Sequence, residues 1–448
     1  MLVIPLAAAI IHNNHGVIEA TVDDISDFFA YKHLKQNCSP SDPCRNDGAW
    51  KSVYGIFNNS EQDHAQNMVV LSTSPRIPFQ IFRQFSALKS FQMVNQYVRS
   101  LQIYDFEGGN NLSLLNLTGN MIESFDFGLL ADARALEVLD LSKNRISAIS
   151  NVNSTVLELK ELYLNHNKLV EFESYGVLSK IKVLFLNNNR LKRLNNDVIY
   201  CNTDKNLGMF KSFDVSNNPL IDFPSEEYCN SQVDSEILSL NSVRLTSLNV
   251  PGVTKILRAN HNNISSVILD DSQINTNLRE LYLRDNQLYM FPYCSNCNLS
   301  ALLILDLSHN FLSGINGLDM EAMQSLRELR LTHNLFTSIS YWRYETPMPN
   351  IHLIDLSYNF DLVDFDFGGL PRSTVHLGIA NIGLSDIDEN IKQDLPRLKS
   401  ILSSGDNMNS SNFMNKILWL DTIGIKVNLT NGFNAVFELW KANDGGAV

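Results

Sequence analysis

Three histidines and an aspartate recur at a fixed place in the chain. His261, Asp285, His309 and His333 follow one another at 24-residue intervals, and each stands immediately before an asparagine. His166 holds the same place further upstream. Stacked into a row by folding, these imidazoles and the carboxylate would have the chemistry of a metal site or of a pH-sensitive patch. The competing reading is that "SHN", "NHN" and "THN" are variants of one polar bend that tolerates histidine. That reading is adopted, so no metal ligands are assigned and no cofactor is expected. No G-x-S-x-G elbow, phosphate loop, H-E-x-x-H or cysteine-nucleophile setting occurs in the sequence, so no catalytic residue is named and the expectation is a protein that is not an enzyme.

What must position those residues is a repeat. The pattern L-x-x-L-x-L-x-x-N-x-L fits "LSLLNLTGNMI", "LEVLDLSKNRI", "LKELYLNHNKL", "LRELYLRDNQL" and "LLILDLSHNFL", and it recurs in weaker form along most of the chain. Its asparagines are Asn120, Asn144, Asn167, Asn189, Asn218, Asn262, Asn286, Asn310, Asn334 and Asn359, and most neighbours lie 22 to 25 positions apart. A second apolar register falls five residues after the asparagine position, at Leu101, Phe125, Ile149, Phe172, Leu194, Phe223, Leu248, Val267, Phe291, Ile315, Ile339 and Ile387. L-x-L reads as a short strand with alternate side chains inward. One such unit cannot bury its apolar side alone, so units must stack and share a core. An asparagine amide both donates and accepts, and can satisfy backbone groups of its own and of a neighbouring rung.

The pattern resembles the leucine-rich repeat over residues 66 to 408. The resemblance implies an α/β-type solenoid, a leucine-rich repeat horseshoe with one curved parallel β-sheet on its concave face, built from about 14–15 units. Residues 1–16, "MLVIPLAAAIIHNNHG", read as a signal peptide, 17–65 as an N-terminal helix and cap, and 409–448 as a C-terminal cap. The helix expectation rests on near-helical spacing of Val17, Ile18, Val22, Ile25, Phe28 and Phe29. No later run of apolar residues is long enough to span a membrane.

Six cysteines allow 15 pairings, of which Cys38–Cys44, Cys201–Cys229 and Cys294–Cys297 are put forward. Cys201 and Cys229 lie 12 and 11 residues after Asn189 and Asn218, and in leucine-rich repeat geometry adjacent rungs come within disulfide reach. "CSNC" is either a local disulfide or half of a zinc site. N-glycosylation sequons begin at Asn37, Asn58, Asn111, Asn116, Asn153, Asn263, Asn298, Asn409 and Asn428. Together with the apolar start, these features point to a secreted, extracellular chain. The net charge of −13 argues against nucleic acid or an anionic membrane as partner.

Outward strand positions of a solenoid sheet form its usual interaction surface. Here Tyr163 and Phe185 fall side by side, and Arg258, Tyr282, Asp306 and Arg330 make a charged and aromatic strip joined by Glu280, Arg284 and Glu328. Tyr and Arg are common interface anchors, so Tyr163, Phe185, Arg258, Tyr282, Asp306 and Arg330 are the candidate ligand-binding residues. A glycan on Asn116 would push binding away from the first rungs.

The stretch "MVVLSTSPRIPFQIFRQFSALKSFQM" is similar to the entry into the repeats of insect extracellular leucine-rich repeat proteins, and most of all to the leucine-rich immune proteins of mosquitoes. That resemblance implies secretion and the binding of a protein or glycan ligand in innate defence. The chain departs from the family's better-known members in having no coiled coil or cysteine-rich segment after the repeats, as in a coil-less type. Homo- or hetero-oligomers are both compatible with it. The alternative is a cell-adhesion or extracellular-matrix protein, and a metal-dependent hydrolase on the histidine row comes third.

Overall fold

The computed structural model describes residues 9–13, 16–20, 66–70, 75–78, 80–150, 158–172, 180–194, 210–220, 235–250, 254–269, 277–292, 299–315, 323–339, 342, 348–363, 365–384, 386–403 and 410–429. It divides into two compact units, Met1–Ser231 and Gln232–Val448. In both, the chain is a parallel β-solenoid with few helices.

In the first unit the strands Asn67–Val70, Ser90–Gln92, Leu114–Asn116, Val138–Asp140, Glu161–Tyr163, Val183–Phe185 and Phe210–Asp214 pair in parallel, each with the next in sequence. The second unit repeats this with Ser235–Ser239, Ile256–Arg258, Glu280–Tyr282, Ile304–Asp306, Glu328–Arg330, Leu353–Asp355, His376–Gly378, Ser400–Ser403 and Lys426–Leu429. The register places the first leucine of each L-x-L beside that of the next, as in Leu281, Leu305 and Leu329. These side chains are almost fully buried, and each contributes on the order of 1.5–3 kcal/mol by leaving water. On the return path the second apolar register forms its own short ladders. Ser124–Asp126 pairs with Ala148–Ser150 around Phe125 and Ile149, and Ser247–Val250 pairs with Ser266–Leu269 around Leu248 and Val267.

The ten asparagines are the buried polar spine of the two units. Asn310 shows the arrangement: its Nδ2 donates to the Leu307 carbonyl of its own rung and to the Leu283 carbonyl of the rung before, each at 3.0 Å. Its Oδ1 accepts from the Leu288 N–H, also at 3.0 Å. Each carbonyl is shared in turn, since Leu307 O also receives Asn334 and Leu283 O also receives Asn286. The residue before most of these asparagines has a positive φ: 57° at His166, His261 and His309, and 54° at Asp285 and His333. This left-handed region is costly for most side chains and is enriched in Asn, Asp, His and Gly.

At the N-terminal end only the first residues of the expected helix are described, and residues 21–65 of the expected helix and cap lie outside the described residues. Gly16–Ala20 is a strand rather than the start of a helix, paired antiparallel with Ala9–Asn13, which also pairs antiparallel with Asn67–Val70. Val17 and Ile18 are β-branched and favour a pleated strand, and the hairpin covers an edge that a parallel sheet would otherwise leave open. After the last repeats, the helix Ser410–Thr422 and the strand Lys426–Leu429 follow Ser400–Ser403. No helix among the described residues is long and apolar enough to cross a membrane.

Candidate ligand-binding face

Strand alternation sends the middle residue of each three-residue strand into the core and its two neighbours to the outer face of the sheet. In the first unit this brings Tyr163 and Phe185 together. They pair across adjacent strands, with ring centroids 5.2 Å apart and an edge-to-face angle of 88°. Both are half-buried. The Tyr163 hydroxyl donates to Glu161 Oε2 at 2.8 Å. Burial first, and then the bond to Glu161, push its phenol pKa up to about 12. The group is therefore a neutral donor with an apolar body at neutral pH.

In the second unit the Arg258 guanidinium lies 5.7 Å from the Tyr282 ring centroid, and the Tyr282 hydroxyl donates to Glu280 Oε2 at 3.0 Å. Burial, then the Glu280 charge, raise the Tyr282 pKa. Both residues keep half-exposed surface.

Asp306 and Arg330 differ from the expectation of an exposed strip. Asp306 is 5% exposed, and its Oδ1 accepts from the Ser308 N–H at 3.0 Å. Arg330, 12% exposed along its side chain, forms ion pairs with Glu328 at 2.5 Å and with Asp306 at 3.8 Å. Burial raises the Glu328 pKa, with Arg330 opposing, and burial also raises that of Asp355. The outward positions of the following rungs are buried as well, at Leu353, Asp355, His376, Gly378, Ser400 and Leu402. A Cβ placed on Gly378 would stand 2.1 Å from Asp355 Oδ1, so the carboxylate occupies the space a side chain would need. Alternation predicts direction, but burial here is decided by the surroundings of each rung. The half-exposed candidates that remain are Tyr163, Phe185, Arg258 and Tyr282.

The histidine row does form along the bends. Asp285 lies between His261, whose Nδ1 is 2.9 Å away, and His309, whose Nδ1 is 3.3 Å away. The Arg284 guanidinium approaches His309 Nε2 at 3.1 Å. Beyond that point the row is a stack of rings: His309 on His333 at 3.9 Å, and His333 on Tyr358 at 4.3 Å. Tyr358 belongs to the row because it too precedes a repeat asparagine, a signal that a search for titratable groups passes over. Burial and the neighbouring His309 lower the His333 pKa to about 4. Among the described residues, no three His, Cys, Asp or Glu side chains are placed to hold a metal ion. Face-to-face imidazoles turn their nitrogens away from a common centre, and the left-handed backbone accounts for histidine at these places.

Of the sequon asparagines, Asn111 and Asn263 are exposed, while Asn116 and Asn428 are half-buried in strands. Asn37, Asn58, Asn153, Asn298 and Asn409 lie outside the described residues, as do Cys38, Cys44, Cys201, Cys229, Cys294 and Cys297.

The family model described as leucine rich repeat matches residues 276–336. Chaoptin of Drosophila melanogaster is 36% identical over 120 residues, 26% of this chain and 9% of chaoptin. Transforming growth factor beta activator LRRC33 of Danio rerio is 26% identical over 343 residues, 71% of this chain and 49% of that protein. The chain thus spans less than half the length of either relative. Among solved structures, a leucine-rich repeat protein of Leptospira interrogans superposes with a TM-score of 0.67 at 22% identity, covering 90% of this chain and 98% of that one. With the periodic sequence, the shared asparagine bonds and the parallel rungs already in place, these likenesses show that the chain has the leucine-rich repeat fold, with residues 276–336 matching the leucine rich repeat family model itself.

Proposed function

We infer that the protein is a secreted, non-enzymatic recognition module that binds a protein or glycan ligand through the concave face of its sheet, in insect innate immunity. The observation that carries the binding reading is the Tyr163–Phe185 pair. Two aromatic rings meet edge to face on adjacent strands, half-buried, with a neutral hydroxyl at one end. Rigid aromatic surface with a polar tip is what interface hot spots are made of. Arg258 over Tyr282 offers a second anchor of the same kind in the other unit. Arg330 and Asp306 act in this reading as a buried charged support, with Arg330 holding Glu328. The resemblance of the entry segment to mosquito immune proteins supports the immune setting, and the sequons support passage through the secretory route.

The test is affinity capture from native extracellular fluid, using the glycosylated chain and its Tyr163→Ala/Phe185→Ala variant as parallel baits. A species retained by the first and lost by the second supports the reading. Equal capture by both baits overturns the sheet-face assignment. Adhesion or matrix organisation is the second reading, and the exposed apolar strip described next favours it.

A further inference from the structure

The position one residue after the repeat asparagine changes character along the chain. It is polar and exposed at Arg145, Lys168, Arg190, Asn263 and Gln287, and then becomes Phe311, Leu335 and Phe360 on three successive rungs. All three are exposed, as are Tyr289, Met290 and Val363 beside them, with exposures from 41% to 79%. The members of this strip follow one another on adjacent rungs. Tyr289 stacks on Phe311 at 5.1 Å and 17°, the Phe311 N–H bonds to Leu288 O, and the Leu335 N–H bonds to Leu312 O. The Tyr358 ring at the end of the histidine stack meets Phe360 edge to face at 6.3 Å. Val363 packs over Gly383 of the next rung, where a Cβ would stand 2.6 Å from its Cγ1. Scattered apolar residues are ordinary on a protein surface, whereas a contiguous row of this length marks a contact surface.

We propose that this strip, Tyr289–Met290–Phe311–Leu335–Phe360–Val363, is the surface through which two copies of the chain pair about a two-fold axis. Two arguments select a second copy as the occupant. The first is area. With an aromatic side chain burying roughly 150–250 Å² when fully covered, the six side chains offer on the order of 700 Å² of exposed surface. Two strips facing each other then remove roughly 1,400 Å², within the range of specific interfaces. The second is charge. A chain of net charge −13 repels its own copies wherever acidic surface meets acidic surface. None of the six strip residues is charged at neutral pH. At one border Arg284 pairs with Asp285. Exposed Asp361 lies at the opposite end, and an antiparallel two-fold arrangement sets it against Tyr289 and Met290 of the other copy, keeping the two carboxylates apart. A strip without charged side chains can meet itself without placing like charges opposite one another.

The test uses the full secreted chain in sedimentation or light scattering at micromolar concentration and neutral pH. The wild type is expected to be a dimer. Phe311→Glu/Leu335→Glu, the two positions that such a two-fold axis sets against each other, is expected to weaken dimerisation by about 100-fold or more, as facing carboxylates repel. Lys168→Glu, at the same repeat position in the first unit, is expected to leave it unchanged. Because these side chains are exposed, the variants should retain the wild-type melting temperature and far-ultraviolet spectrum. Mixing Phe311→Glu/Leu335→Glu with Phe311→Lys/Leu335→Lys is expected to restore a dimer containing one copy of each, which only a strip facing itself allows. A wild type that stays monomeric, a dimer insensitive to the charged pair, or a mixture that does not associate would each overturn the proposal. None of these results bears on ligand capture through Tyr163 and Phe185.

Discussion

Asn310→Ala tests the logic of the solenoid most directly. The substitution removes the two shorter Nδ2 donations, to Leu283 O and Leu307 O, and one acceptance, from the Leu288 N–H. The three groups do not suffer equally. Each carbonyl keeps a second asparagine, Asn286 for Leu283 and Asn334 for Leu307, so only the Leu288 N–H loses its side-chain acceptor. One buried donor left unpaired costs about 1–3 kcal/mol and each of the two lost neutral bonds about 0.5–1.5 kcal/mol, so the expected loss is about 2–6 kcal/mol. Asn359→Ala should be at least as severe, because Ile382 stands where the next repeat asparagine would be. Asn310→Asp keeps an acceptor for Leu288 but turns a carboxylate oxygen toward two carbonyls. Its pKa must therefore rise, so its deficit is largest at neutral pH and shrinks on acidification. Urea unfolding followed by circular dichroism gives the magnitudes, and amide exchange at Leu288 locates the defect. A loss below about 0.5 kcal/mol for Asn310→Ala, within the usual range for inconsequential surface changes, would refute this accounting. So would a milder effect of Asn310→Asp at neutral pH.

Three further outcomes are expected. His333, with its pKa lowered to about 4 in the fold against 6.5 ordinarily, binds more protons unfolded than folded between those values, so its contribution is present above pH 6.5 and is lost as pH falls toward 4. His333→Asn, which suits the same left-handed backbone, should flatten the stability profile over that window, as chemical denaturation across pH would show. Gly378→Ala should destabilise by about 1–3 kcal/mol through overpacking against Asp355, and adding Asp355→Ala should recover much of it in a double-mutant cycle. Arg330→Ala should cost about 3–5 kcal/mol by leaving Glu328 buried without its partner, while Arg258→Ala changes melting little. Equal effects at the two arginines would contradict the buried position of the first.

Periodicity carried the fold because the inward leucines and the asparagines each answer to one local constraint repeated on every rung. Leu305 and Asn310 could be placed from spacing alone. Three things were less legible. Asp306, Glu328 and Asp355 have the sequence signature of outward positions, yet their burial depends on the surroundings of each rung, which alternation does not encode. The histidines had a cause hidden from spacing, because a positive φ is a property of the bend's backbone and shows in sequence only as a tolerance for His, Asp and Asn. Val17 and Ile18 fit either a helix or a strand, and pairing with distant residues decided between them. The strip through Phe311, Leu335 and Phe360 was visible in principle, as a switch from Arg and Lys to apolar residues at one repeat position. It lies outside both inward registers, so a reading tuned to the core passes over it.

The shared carbonyls also constrain how such a gene can change length. Leu307 O receives one amide from its own rung and one from the next, and the same pair of bonds recurs at Leu283 and Leu331. A junction made of identical bonds does not record which rung lies on either side. Duplication or deletion of one whole 24-residue repeat, such as the segment from one asparagine to the next between Asn286 and Asn334, would therefore rejoin on equivalent bonds. A half-repeat insertion would leave an amide facing an apolar side chain instead. Unequal recombination between repeats is thus a route by which this architecture can vary in length while each surviving junction keeps its chemistry.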